Sequence, residues 1–318
     1  MSALSPALVG LEVAPVTQAI DARWLMAYAA ALGEADPRYF DTEAAAGPLA
    51  HPLFSVCYEW PAVVAAREAI DAALRPRSVH ATHRVEIHRH ARAGDRLTTT
   101  ARVTAVEPCR AGTRLDVRVA TRDAAGQPVT TTEYGSIFLG VGAIEQGTGA
   151  RPDALDDRDS RRAADEPPRE IAAGPQCEPQ PQARRARDLG RGDSPGARAL
   201  YNWQSVVDVP ATLGHVYTEC ARIWNPIHTD VAVARAAGLP APILHGTATL
   251  ALAVSRVVAR ELDGNPAAVR RIEGRFTGMV ALPSRFTVRG GGRRGAAILF
   301  DAVGADGRPV LSRGVLSR

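Results

Sequence analysis

From Val85 to Pro108 the chain reads VEIHRHARAGDRLTTTARVTAVEP, and from Arg114 to Asp123 it reads RLDVRVATRD. Apolar and polar positions alternate with a period of two in both. This predicts antiparallel strands with one face buried. Two other stretches, LFSVCYEW (53–60) and TATLALAVSRVV (247–258), are apolar over several residues without that alternation. Each predicts a helix buried across a sheet. AAGQPV (124–129) and ADGRPV (305–310) mark hairpin turns between alternating strands. The predicted order, helix, loop, central apolar helix, then several strands, occurs twice, and helices preceding antiparallel strands make the class α+β.

The two rounds of this order are related in sequence. YAAALGEADPRYFD (28–41) aligns without a gap on YTECARIWNPIHTD (217–230), matching Tyr28 to Tyr217, Pro37 to Pro226 and Asp41 to Asp230. Each is followed by a histidine-containing turn and the central apolar helix. Several features agreeing in order indicate an internal duplication. Residues 145–200 separate the copies. They are rich in Arg, Asp, Pro, Gln and Gly and poor in aromatic and branched aliphatic residues. Such a segment buries too little apolar surface to offset its ordering entropy and is expected to be a flexible linker. The expected domains are therefore 1–144 and 201–318.

Composition narrows the chemistry. The 318 residues are 46% hydrophobic and 23% charged, as in an ordinary globular protein of two domains. No apolar run reaches membrane-spanning length, and the N-terminus lacks a secretory pattern, so a cytoplasmic location is expected. The four cysteines have no metal or disulfide spacing. All 38 basic residues are arginine. Without lysine there is no lysine Schiff base and no P-loop. The net charge of +4 comes with only 5% aromatic residues, a poor footprint for nucleic acid. No metal and no cofactor are expected. The Arg-Gly run at 289–295 lacks a phosphate-loop continuation and is expected to be a flexible hairpin.

The stretch from Tyr217 to Ala234, with Asn225-Pro226-Ile227-His228, resembles the hydratase 2 signature of MaoC-like proteins. Ile243-Leu244-His245-Gly246 is similar to that family's approach to its central helix. The likeness covers roughly 15–143 and 201–318. It implies two tandem hot-dog domains, each an antiparallel sheet wrapped on a central helix, forming a pseudo-dimer within one chain. The first copy would accommodate the acyl chain and the second would carry the chemistry: addition or removal of water at C2–C3 of an acyl-CoA or acyl-carrier thioester. That reaction needs a base, a proton donor and donors for the developing enolate oxygen. His228 is the expected acid/base, Asn225 would position water or the loop, and Gly246, with His245, would face the thioester oxygen at a helix N-terminus.

One residue departs from the pattern. Where the family has an aspartate, two residues before the asparagine, this chain has Ile223, which neither titrates nor holds water. The preceding small Ser-Gly pair is Ala221-Arg222. In the first copy Glu34 holds the carboxylate position, but Tyr39 replaces the histidine. Glu59, on the first copy's central helix, is read first as a helix-end carboxylate before Pro61 that faces solvent; the alternative is a substitute acid opposite His228. His228 and Asn225 have alternatives too, as a packed histidine and a turn residue. Tyr217 is read as a core aromatic, His245 as shaping its turn, and Asp230 as a helix cap. His80, His83, His88 and His90 are read as a polar strand face, only His88 and His90 sharing a side. Two functions stay open: a (de)hydratase, or a non-catalytic acyl-thioester-binding protein or partner subunit of a dehydratase. The partners implied are a thioester and, as in many hot dogs, a second copy or another hot-dog chain.

Overall fold

A computed structural model of the chain describes residues 3–143 and 201–318, which belong to one compact unit. The expected linker lies outside the described residues. The elements in order are β1 (Ala3–Leu4), β2 (Val16–Ala19), α1 (Ala22–Ala31), α2 (Ser55–Glu68), β3 (Ser78–Ile87), β4 (Arg96–Cys109), β5 (Gly112–Arg122), β6 (Pro128–Leu139) and β7 (Gly142–Ala143). The second copy supplies β8 (Trp203–Val209), α3 (Leu213–Ala221), α4 (Val231–Ala236), α5 (Gly246–Glu261), β9 (Arg271–Phe276), β10 (Ser284–Arg294), β11 (Ala297–Gly304) and β12 (Pro309–Ser317).

Ten of these strands form a single sheet in the order β2-β4-β5-β6-β3-β9-β12-β11-β10-β8, with every ladder antiparallel. The halves meet at β3 and β9, where Thr82 pairs with Arg275 and Val85 with Ile272. Because the ladder is continuous there, neither half leaves an open edge at the joint. The fold is thus α+β, a double hot dog, and α2 and α5 are its central helices. Both are buried: α5 covers β10–β12 with Leu250, Val254 and Val257, and α2 covers β4 and β5 with Ala62, Val63 and Ala66.

The duplication is visible in space. α1 packs on α3, and the equivalent Tyr28 and Tyr217 meet there with hydroxyls 3.3 Å apart. Tyr217 is a buried aromatic whose hydroxyl also donates to Thr247 Oγ1 at 3.1 Å. Asp230 caps α4 through the N–H groups of Ala232 and Val233.

Three local expectations need correction. The Arg-Gly run is largely strand, not a hairpin loop: β10 continues to Arg294 with a bulge between Gly290 and Gly292. A Cβ on Gly290 would lie 2.3 Å from the Trp203 ring, so glycine admits that side chain. Second, Pro61 does not end the central helix. α2 runs through it to Glu68, which leaves Glu59 inside the helix and buried. Third, β3 carries a bulge between His80 and Thr82. The extra residue shifts the parity, so His80 and His83 lie on one face with rings 5.5 Å apart.

Candidate active site

His228 ends a 3-10 turn, Pro226–His228, capped by Asn225. The Asn225 side-chain oxygen accepts from the Ile227 N–H at 3.4 Å, and the proline supplies the fixed φ that starts the turn. The Asn225-Pro226 pair therefore builds the turn that presents His228. The His228 Nδ1–H donates to the Ile243 carbonyl at 2.8 Å. A carbonyl only accepts, so this bond fixes the tautomer and leaves the Nε2 lone pair available. Burial pushes the His228 pKa down to about 4, with the Ile243 bond acting in the opposite sense. The ring is neutral at pH 7.

His245 stacks on His228, centroids 3.6 Å apart, and its Nε2–H reaches the Ile223 carbonyl at 3.4 Å. It braces the His228 ring and sits just before α5. Gly246 begins α5, and its N–H has no acceptor among the described residues. That free N–H lies at the positive end of a helix of sixteen residues. A Cβ at Gly246 would come within 3.3 Å of the Phe276 ring, so the backbone approaches β9 closely.

Ile223 is 3% exposed and belongs to an apolar core that both halves share. Arg222 before it takes the left-handed conformation, φ 56°, and lays its guanidinium over the Trp24 ring at 3.9 Å. The cation–π contact offsets part of the cost of a side chain at positive φ.

His228, His245, Gly246, Asn225 and Ile223 line one cavity of about 900 Å³, and Glu59 lines it too. Glu59 is 2% exposed. The hydroxyls of Thr130 and Thr132 on β6 donate to its Oε1 at 2.7 and 3.0 Å. Burial drives its pKa up to about 8, against the lowering effect of those two bonds. Glu59 is therefore a neutral carboxylic acid at pH 7. The solvent-facing reading does not hold. Within the cavity one neutral base and one neutral acid arrive from different halves.

The pseudo-equivalent position in the first half is filled. Tyr39 stacks on His51, as His228 does on His245. Leu53 N–H donates to His51 Nδ1 at 3.1 Å, His51 Nε2 meets Ser255 Oγ at 3.2 Å, and the Ser255 hydroxyl donates to Glu34. Glu34 is engaged with this network rather than with the cavity.

Sequence parity missed His83. It is 2% exposed, lines the same cavity, and both of its ring nitrogens lack a partner. Only the bulge in β3, which alternation does not reveal, brings His80 alongside it.

A ten-stranded sheet carrying two central helices, with a histidine turn opposite the start of the second, defines a double hot dog. Residues 7–132 match the FAS1-like dehydratase domain region, and residues 217–293 match the MaoC like domain. A relative from Streptomyces coelicolor, UPF0336 protein SCO4636, is 33% identical over 142 residues, 41% of this chain and 91% of that protein. The peroxisomal enoyl-CoA hydratase 2 of Arabidopsis thaliana is 45% identical over 53 residues, a match spanning 17% of each chain. Among solved structures, a MaoC-like dehydratase from Phytophthora capsici superposes with a TM-score of 0.73 at 20% identity, covering 98% of this chain and 96% of that one. The chain belongs to the MaoC-like hydratase and dehydratase family.

Proposed function

We propose that the protein adds or removes water at C2–C3 of an acyl thioester, with its acid and base divided between the two halves. The observation that carries this reading is the neutral imidazole and neutral carboxylic acid in one cavity, their pKa values displaced in opposite directions by burial. In dehydration, His228 Nε2 takes a proton from C2. Charge moves to the thioester oxygen, where the Gly246 N–H and the α5 dipole stabilise it. Glu59 then gives its proton to the C3 hydroxyl, which leaves as water. Hydration is the reverse. The first half thereby supplies what Ile223 lacks. Asn225 acts through the turn and His245 through the His228 ring.

The cavity is also lined by Arg67, Arg75 and Arg77, and Arg77 is exposed. Such a positive rim suits the phosphates of CoA or of a carrier protein's prosthetic arm. Among the described residues no helix is long and apolar enough to cross a membrane.

Ile223 favours a second reading, an acyl-thioester-binding protein without turnover. Loss of the conjugated thioester absorbance of crotonyl-CoA and longer 2-enoyl-CoAs separates the two. The proposal expects turnover that falls about 100-fold or more in both His228→Ala and Glu59→Gln. Binding with no turnover at any chain length establishes the second reading instead.

A further inference from the structure

We infer that His83 is the seat of the substrate's C3 hydroxyl, or of the water that becomes it; this rests on the (de)hydratase reading of the cavity. The site as built from the second half has an apolar residue, Ile223, where a water-holding group is needed. Among the polar side chains that the first half brings to this cavity, Glu59 and His83 are the two buried at 2% exposure. Glu59 is held by Thr130 and Thr132. In the ladder of β3 and β6, Val85 faces Thr132 and His83 faces Tyr134. His83 is thus the next residue along the inward face of β3 from the pair that anchors the acid, about 7 Å along the strand.

The protein supplies the His83 ring with no hydrogen-bond partner among the described residues. Neither Nδ1 nor Nε2 has a partner, although the residue is 98% buried, its relative exposure being 2%. Each buried polar atom left unpaired costs on the order of 1–3 kcal/mol, so two on one ring call for a ligand. Burial lowers the His83 pKa to about 4, and a neutral imidazole offers one N–H and one lone pair. The two nitrogens point in different directions, so a hydroxyl or a water pairs with one of them, either accepting from the N–H or donating to the lone pair. An alkyl chain satisfies neither. His80 closes the wall on the other side, stacked on Tyr134 at 3.8 Å and tilted against Phe276 at 4.6 Å, and Phe276 abuts Gly246. The oxyanion-side donor, His83 and Glu59 therefore follow one another along the joint between the halves.

The test is a binding ratio, read on a His228→Ala background so that no chemistry intervenes. Calorimetry compares a 3-hydroxyacyl-CoA with the saturated acyl-CoA of equal chain length. The hydroxylated ligand should bind about tenfold more tightly. Adding His83→Leu should bring the ratio to about one by weakening only the hydroxylated ligand, and His83→Gln, which keeps a donor and an acceptor, should restore part of it. His83→Phe, close in shape and without nitrogens, replaces the leucine variant should that fail to fold. A ratio unchanged by loss of the nitrogens, or both ligands weakened equally, overturns the inference. Absence of turnover in the unmutated protein would overturn the (de)hydratase reading, and the binding ratio would still judge His83.

Discussion

Glu59 is a costly residue to bury. Its carboxyl has an ordinary value of 4.5 and titrates near 8 in the fold, so the folded chain keeps a proton that the unfolded chain releases. Between those values the unfolded state binds fewer protons, and stability declines as pH rises from about 4.5 through about 8. Glu59→Gln keeps an oxygen for Thr130 and Thr132 but cannot ionise. It should raise stability by roughly 2–3 kcal/mol at pH 7, and the gain should vanish at pH 4, where both states of the parent are protonated. Denaturant unfolding at the two pH values measures this. A residue that reduces stability yet sits in the cavity is what a catalytic acid would look like. Its position was half legible. The apolar helix around it was plain, but Pro61 suggested a helix end. Proline is tolerated here in the seventh position of α2, so the helix carries on and its acid stays inside.

At the scale of elements, the placement of His228 depends on how closely α3 can approach its turn. Gly214, in the first turn of α3, has space for no side chain: a Cβ there would lie 2.5 Å from the His228 carbonyl oxygen and 2.8 Å from Leu282. Gly214→Ala must push the turn and α3 apart. The expected cost is about 1–3 kcal/mol of stability together with a drop in kcat of about tenfold or more, since the Nε2 atom moves with its turn. Thermal unfolding and steady-state rates check both parts, and an alanine variant with unchanged rate would show that the turn is not held by this contact. The strands themselves were readable from alternation, because a half-buried antiparallel strand enforces a period of two. The β3 bulge was not, because one inserted residue changes the parity without changing composition. His80 and His83 were assigned to opposite faces for that reason.

For the molecule as a whole, the duplication carried most of the information. Matching Tyr28 to Tyr217 in sequence anticipated two copies, and the structure brings those two hydroxyls within 3.3 Å of each other. How the two copies combine at one cavity was harder to read. Each copy taken alone is deficient: the second has His228 but Ile223, the first has Glu34 but Tyr39. The sequence offered Glu59 both as a substitute acid and as a solvent-facing carboxylate, and the packing of the halves decides between them: α2, not the loop equivalent to Ala221–Trp224, brings a carboxyl to the wall of the His228 cavity. Sequence order says nothing about which wall of a shared cavity a side chain will line.

The central claim is that an acid from the first half works with a base from the second. The most direct test is the pH dependence of kcat/KM for enoyl-CoA hydration or its reverse. The rate should be flat between about 5 and 7, fall at low pH as His228 gains a proton near 4, and fall at high pH as Glu59 loses its proton near 8. Glu59→Gln should remove the upper fall along with most of the rate. An undiminished rate in Glu59→Gln, with the fall above pH 8 still present, would contradict the claim.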